Sequence, residues 1–413
     1  MYQELFSERA RRIRKSAIRE LLKLTERPDI ISFAGGLPDP ETFPRKQLAK
    51  IADEEILIHY AKSLQYGTTE GSKTVRSRFA QFITQQEGIE IDPQSELIVT
   101  TASQQGLDLI AKTFIDPGDI VICGLPTYLG AIQAFHMFQA RLIGIPVLDD
   151  GWDFDVLEAT LKKLLSTKPR PRIKLFYVIP DWQNPAGICW SKEKRERLVE
   201  IAEALGILIV EDIPYRQLTE GKPIPMMKAF DSDNETVIVL FTFSKILAAG
   251  LRVGYIYGPR EIIKKLVIMK QSTDLCTSPL TQRLVARCIT DPEFKKHLFL
   301  LRETYRIKRE AMLFILQETL GGIERVSWTK PEGGLFLMVT LPENVDTEKM
   351  LERAIEYKVA YVPGQSFFVN NKGQNTLRLC WSLPTVDEIE IGIRRLAEVI
   401  KQEISISCPQ APK

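Results

Sequence analysis

From about residue 95 the chain alternates short apolar runs with stretches of helical periodicity. The runs read ELIVT, DIVIC, IKLFYVI, ILIVE, VIVLF and VGYIYG, with candidate helices between them, among them 103–114, 192–205 and 261–270. A strand that is apolar at every position, rather than at every second one, is buried on both faces, and parallel strands joined through helices are buried in that way. The pattern predicts an α/β fold: a large domain with a mostly parallel sheet flanked by helices. Beyond DPEF at 291–294 the periodicity changes. A long helical pattern runs to the Gly321-Gly322 stop, and then come a strand-like GGLFLMVTL, a helix near 347–358, the run LRLCW and a last amphipathic helix over 385–401. These shorter, mixed elements predict a smaller α+β domain. The first forty residues hold a basic amphipathic helix, with Ile13, Ala17, Leu21 and Leu24 on its apolar side, followed by a turn-rich FAGGLPDPETFP. The expected division is a large domain over 44–296, with an N-terminal arm (1–43) and the small domain (297–413) outside it.

Composition narrows the function without naming it. With 413 residues, 44% of them hydrophobic and 26% charged, the chain is long enough for one large domain and a companion. A formal net charge of +2 gives no general field for nucleic acid or an anionic membrane, so the expected partners are small molecules. The cysteines (Cys123, Cys189, Cys276, Cys288, Cys380 and Cys408) are scattered, without a C-x-x-C pair, which suits a reducing compartment. The histidines, His59, His136 and His297, are too far apart for a local zinc signature, and no metal is expected. The N-terminus lacks the apolar core of a signal peptide, and no apolar run approaches the ~20 residues of a membrane span. A cytoplasmic protein is expected.

The polar residues that interrupt this pattern fall where the apolar runs end. IKLFYVI runs into PDWQNPAG and Asn184; ILIVE is followed by Asp212 and, one turn on, Tyr215; VIVLF ends in TFSKILAAGLR, which carries Ser244, Lys245 and Arg252. ELIVT leads into a helix starting at about Ser103, and a helix N-terminus with free N–H groups is a ready anion site. In an open parallel sheet the ligand crevice lies beyond the C-terminal strand ends. Taken singly, Asp212 or Ser103 reads as a cap, Asn184 as a turn residue, Tyr215 as packing and Arg252 as surface. Together they form a set. A lysine amine can form a Schiff base with an aldehyde, a carboxylate can keep a pyridinium nitrogen protonated, and serine, arginine and a helix N-terminus can hold a phosphate. Those are the needs of pyridoxal 5′-phosphate, and a lysine freed by substrate is a base beside the substrate's α-carbon.

At this point the chain resembles a known family. It is similar to the fold-type I (aspartate aminotransferase-like) pyridoxal-phosphate aminotransferases of class I, and most of all to the 2-aminoadipate and kynurenine aminotransferase branch. The resemblance covers nearly the whole chain: ISFAGGLPDPETFP, LQYGTTEG, TASQQGLDLIAKTFIDPGD, PTYLGA, PDWQNPAG, EDIPY, SKILAAGLRVGY and LRLCWS. It implies that Lys245 forms the Schiff base, that Asp212 pairs with the ring nitrogen, and that Asn184 and Tyr215 hold the ring oxygen. Tyr128 matches the aromatic residue stacked on the ring. Ser103, Gln104, Ser244 and Arg252 match the phosphate cup, Thr242 stands where a hydroxyl donor is usual, and Tyr66 matches a tyrosine that reaches in from the second subunit of a homodimer. Arg378 matches the arginine that grips the substrate α-carboxylate, assisted by Asn184 and Gly36.

The implied reaction is transfer of the amino group of an L-amino acid to a 2-oxo acid by ping-pong kinetics. Arg19, in AIRELLKL, matches a residue that reaches a distal carboxylate on acidic donors, although several cations share its helix. The chain departs from the family in the LAAG of the lysine loop, in Thr242 for a common serine, and in Ile213 where a second acid is frequent. None of these removes a ligand group. A lyase or synthase on the same scaffold is the alternative chemistry. An aminotransferase-like transcriptional regulator is disfavoured, because FAGGLPDP begins by residue 33 and no space precedes it for a DNA-binding domain.

Overall fold

The computed structural model describes residues 2–12 and 29–407. Its strands, in chain order, are β1 Ile31–Ser32, β2 Leu97–Thr100, β3 Ile120–Leu125, β4 Arg141–Leu148, β5 Gly151–Trp152, β6 Ile173–Val178, β7 Leu208–Asp212, β8 Val237–Thr242 and β9 Gly254–Tyr257. The later ones are β10 Ser327–Trp328, β11 Phe336–Thr340, β12 Val359–Ala360, β13 Val362–Pro363 and β14 Thr376–Cys380. Eight strands make one sheet in the order β2-β9-β8-β7-β6-β3-β4-β5. From β4 to β8 every pairing is parallel.

Each predicted apolar run is a strand of this sheet, and β8 is buried at every position. The run VGYIYG forms β9, which lies antiparallel between β8 and β2. A strand buried on both faces carries no mark of its direction, so periodicity leaves this reversal unread. Because β9 is antiparallel to both neighbours, β2 runs the same way as β8, and the C-terminal ends of β2, β6, β7 and β8 share one edge.

The connecting helices are Ala102–Phe114, Lys192–Leu205 and Arg260–Gln271, each within a residue of its predicted span. Ser191 caps the second of them by accepting from the Lys194 N–H at 3.3 Å. The first lies close against the sheet through Gly106, where a Cβ would meet Leu240 at 2.9 Å. That approach sets the start of the helix directly behind the end of β8.

The helix Glu293–Leu320 leads out to a second sheet of order β10-β11-β14-β13, and the helix Val386–Ser407 packs along Glu293–Leu320 and against β1 and β12. β1 pairs in parallel with β12, so the segment after residue 29 is stitched to this smaller body before it crosses to the large sheet. The predicted N-terminal amphipathic helix, including Ile13, Arg19 and Leu24, lies outside the described residues. Among the described residues no helix is long and apolar enough to cross a membrane, and no group of His, Cys, Asp and Glu is placed to hold a metal ion.

Candidate active site

One cavity opens at the edge shared by the ends of β2, β6, β7 and β8. It is lined by every residue singled out in the sequence except Tyr66 and Arg19. Tyr66 is 81% exposed on the outside of its own chain, and Arg19 is outside the described residues.

Lys245 ends the single 3₁₀ turn Phe243–Lys245 that follows β8, a placement dictated by the change from the apolar VIVLF to polar residues. Its Nζ donates to the Gly36 carbonyl at 2.6 Å. Burial pushes the amine down to about 8; the neighbouring Cys380 opposes this, while Arg378 and Arg252 add to it. Asp212, the last residue of β7, is 1% exposed. Its Oδ2 accepts from the Tyr177 hydroxyl at 2.8 Å, and its Oδ1, also buried, has no hydrogen-bond partner among the described residues. Burial pushes this carboxyl up to about 7, against the lowering effect of the Tyr177 bond.

Arg378 comes from β14 of the small sheet and is almost fully buried. Its Nη1 donates to Asn184 Oδ1 at 3.0 Å and its Nη2 to the Ala34 carbonyl at 2.5 Å. The guanidinium lies 4.5 Å from the Phe336 ring centroid and 5.2 Å from that of Phe367, which fixes its plane. Its Nε has no partner among the described residues. Asn184 also eases ionisation of the buried Tyr215 hydroxyl, against the stronger effect of burial, and Tyr215 stands edge-on to Phe336 at 5.5 Å. Gly36 sits against the same ring, where a Cβ would lie 3.0 Å from Phe336 Cζ.

A third group of donors lies where Ala102–Phe114 begins. The helix starts one residue before Ser103, at Ala102, whose φ of 60° is left-handed; Ser103 is therefore inside the first turn and is not its cap. Beside it the Thr242 hydroxyl donates to Ser244 Oγ at 2.8 Å, and Arg252 Nη1 reaches the same oxygen at 3.3 Å. Tyr128 donates to Gln104 Oε1 at 3.4 Å, and Gln104 Nε2 donates to the Gly130 carbonyl at 3.1 Å.

Several cavity residues had no signal in the sequence, Phe336 and Leu37 among them. Phe336 lies inside the apolar GGLFLMVTL, and Leu37 in the turn-rich arm. Tyr177, buried behind Asp212, is hidden inside the run IKLFYVI. Their positions follow from strand register and from the folding back of residues 29–43, neither of which periodicity carries.

The donor set fits pyridoxal 5′-phosphate. A buried carboxylate oxygen without a partner suits a protonated ring nitrogen, a low-pKa amine suits an aldehyde, and hydroxyls with an arginine at a helix start suit a phosphate. A doubly wound sheet with a lysine after one strand, a carboxylate at the end of its neighbour and an arginine from a second body defines the fold-type I pyridoxal-phosphate enzymes. Residues 29–396 match the family described as Aminotransferase class I and II, and the chain belongs to it.

Its relatives agree. The chain is 44% identical to aromatic-amino-acid aminotransferase 1 of Thermococcus litoralis, over 98% of this chain and 95% of that one. The kynurenine aminotransferase of Pyrococcus horikoshii, solved in complex with PMP, superposes with a TM-score of 0.92 at 44% identity, covering 97% of this chain and 98% of its own. The α-aminoadipate aminotransferase of Thermus thermophilus, complexed with N-(5′-phosphopyridoxyl)-L-leucine, gives a TM-score of 0.89 at 37% identity, covering 98% and 100%. The protein is a pyridoxal-phosphate-dependent aminotransferase that moves the amino group of an amino acid to a 2-oxo acid.

Proposed function

We propose that this aminotransferase works through Lys245, Asp212 and Arg378, and that it accepts a broad set of L-amino acid donors, aromatic and branched-chain ones foremost. The observation that carries this reading is the convergence on one cavity, from separate elements, of the buried Asp212 and Arg378 with the half-buried Lys245. Bound pyridoxal 5′-phosphate supplies an electron-withdrawing ring that stabilises negative charge at the donor's α-carbon. The chain's own residues do the rest. Ser103, Gln104, Thr242, Ser244 and Arg252 hold the phosphate; Asn184 and Tyr215 hold the ring oxygen; Tyr128 covers the ring. Arg378 takes the donor's α-carboxylate in a planar two-bond fork that a lysine cannot copy, with Asn184 and Gly36 beside it. Lys245 Nζ, held near 8, takes and returns the α-proton.

Donor range follows from what remains of the cavity wall. Its charged groups, Lys245, Asp212, Arg252 and Arg378, all have roles above, and the rest of the wall includes Leu37, Leu129, Ile179 and Phe336. That surface suits an apolar or aromatic side chain. 2-Aminoadipate and glutamate would need a further cation, for which Arg19, outside the described residues, is the candidate.

The active form in this reading is a homodimer. Ile56, Leu57, Ile58, Tyr60, Leu64 and Tyr66 are all exposed on one stretch of chain, an apolar surface that a second copy would cover. The domains divide at 44–296 and at 1–43 with 297–413. The free state of Cys123, Cys189, Cys276, Cys288 and Cys380 supports a reducing, cytoplasmic setting.

A panel of amino donors against 2-oxoglutarate tests the function, with keto-acid product measured against donor consumed. Stoichiometric transfer without ammonia, and parallel-line ping-pong kinetics, are expected. Borohydride treatment of the holoenzyme followed by peptide mapping should leave the cofactor on Lys245; its attachment to any other lysine would overturn the site.

A further inference from the structure

None of the roles above uses the hydroxyl of Tyr177. This residue lies on β6, beside β7, in the register that pairs Tyr177 with Val210 and Val178 with Glu211. It is fully buried, and its ring meets Phe135 nearly edge-on with 5.7 Å between centroids. A buried phenol needs a partner, and the one it has is Asp212 Oδ2 at 2.8 Å. The carboxylate is thereby divided. One oxygen is held from behind by the neighbouring strand, and the other, Oδ1, is buried and unpartnered among the described residues, on a side chain that lines the cavity. A free carboxylate turns about its terminal torsion with little preference, so a single strong bond to one oxygen decides where the other points.

We propose that Tyr177 is a positioning residue that holds Asp212 Oδ2 so that Oδ1 is presented in a fixed direction to the cofactor's ring nitrogen. The inference rests on the assignment of Asp212 to that nitrogen. The electrostatics agree with it. Burial favours a neutral carboxyl at Asp212, and the Tyr177 bond acts in the opposite direction, toward the anion that a pyridinium requires. Tyr177 itself is held protonated by burial and by Asp212, so it donates this bond across the physiological range. The other ionisable groups near the pair are Tyr128 and Tyr215, with Lys245, Arg252 and Arg378 on the cavity wall. None of these has a hydrogen bond to Asp212.

Tyr177→Phe keeps the ring and its contact with Phe135 and deletes only the hydroxyl. It should weaken binding of pyridoxal 5′-phosphate to the apo-protein about tenfold, as the loss of a buried hydrogen bond to a charged group does. In the reloaded enzyme kcat should fall while the donor KM stays within about twofold, since Arg378 is untouched. The deciding measurement is the same substitution in an Asp212→Asn background. If Tyr177 acts through the carboxylate, the second loss of cofactor affinity is below about twofold. An equal loss in both backgrounds would assign Tyr177 to packing and overturn the proposal, as would unchanged affinity and kcat in Tyr177→Phe. Should Asp212→Asn alone leave cofactor affinity and turnover intact, the assignment of Asp212 itself fails, and this inference with it.

Discussion

At the residue scale the chemistry depends on burial acting in opposite directions on two groups that line one cavity. Lys245 is pushed down and Asp212 up, because loss of water penalises the charged form of each. For the lysine the sign is simple: a lowered value means that the neutral amine accumulates from about pH 8 instead of from its ordinary 10.5. The rate at which apo-protein takes up pyridoxal 5′-phosphate, followed by stopped-flow absorbance, should rise through pH 8 and level off above it. A rise centred near 10.5 would show that the cavity does not desolvate the amine. Most of these residues were legible in the sequence because each marks a change from an apolar run to polar chemistry at a strand end. Tyr177 was not, since an aromatic residue within an apolar strand reads as core, and only the register of β6 against β7 brings its hydroxyl to Asp212.

At the element scale the ring contacts are carried on two loops that a buried ionic network locks to the helices behind them. Asp181, after β6, accepts from Arg195 Nη2 at 2.7 Å and from Arg216 Nη1 at 3.1 Å; Arg216 also pairs with Glu87 at 2.6 Å. Asp181 and Arg195 are essentially sealed from water, and Arg216 is the residue after Tyr215. The network therefore ties the loop that carries Asn184 to the turn that carries Tyr215. Asp181→Ala leaves two buried guanidinium groups short of an acceptor and should cost roughly 3–5 kcal/mol, seen as a lower urea midpoint of the apo-protein. Cofactor affinity should fall with it, and a variant of unchanged midpoint would remove the network from the account of the site. Helix spans were readable from their periodicity. The ionic network and the antiparallel run of β9 were not, because charges distant in sequence carry no common signal and a doubly buried strand looks alike in either direction.

At the scale of the whole molecule the proposed dimer makes each site a joint product of two chains, since Tyr66 is exposed and does not line the cavity of its own chain. Complementation tests this. Tyr66→Ala and Lys245→Ala proteins, each of low activity alone, are unfolded together and refolded. Random pairing would make half the dimers mixed, and each mixed dimer carries one intact site, so roughly a quarter of wild-type activity should return. No recovery would argue that each chain completes its own site. Within one chain, the arm and the small sheet meet at Gly36 and Phe336, where a Cβ would stand 3.0 Å from the ring that also supports Arg378. Gly36→Ala should lower kcat/KM for every donor alike, and Phe336→Leu added to it should restore part of the loss by making room. Two positions far apart in the gene are thus coupled in one direction: a side chain at 36 is costly while the ring at 336 remains, so lineages that have lost the glycine should also have lost the ring.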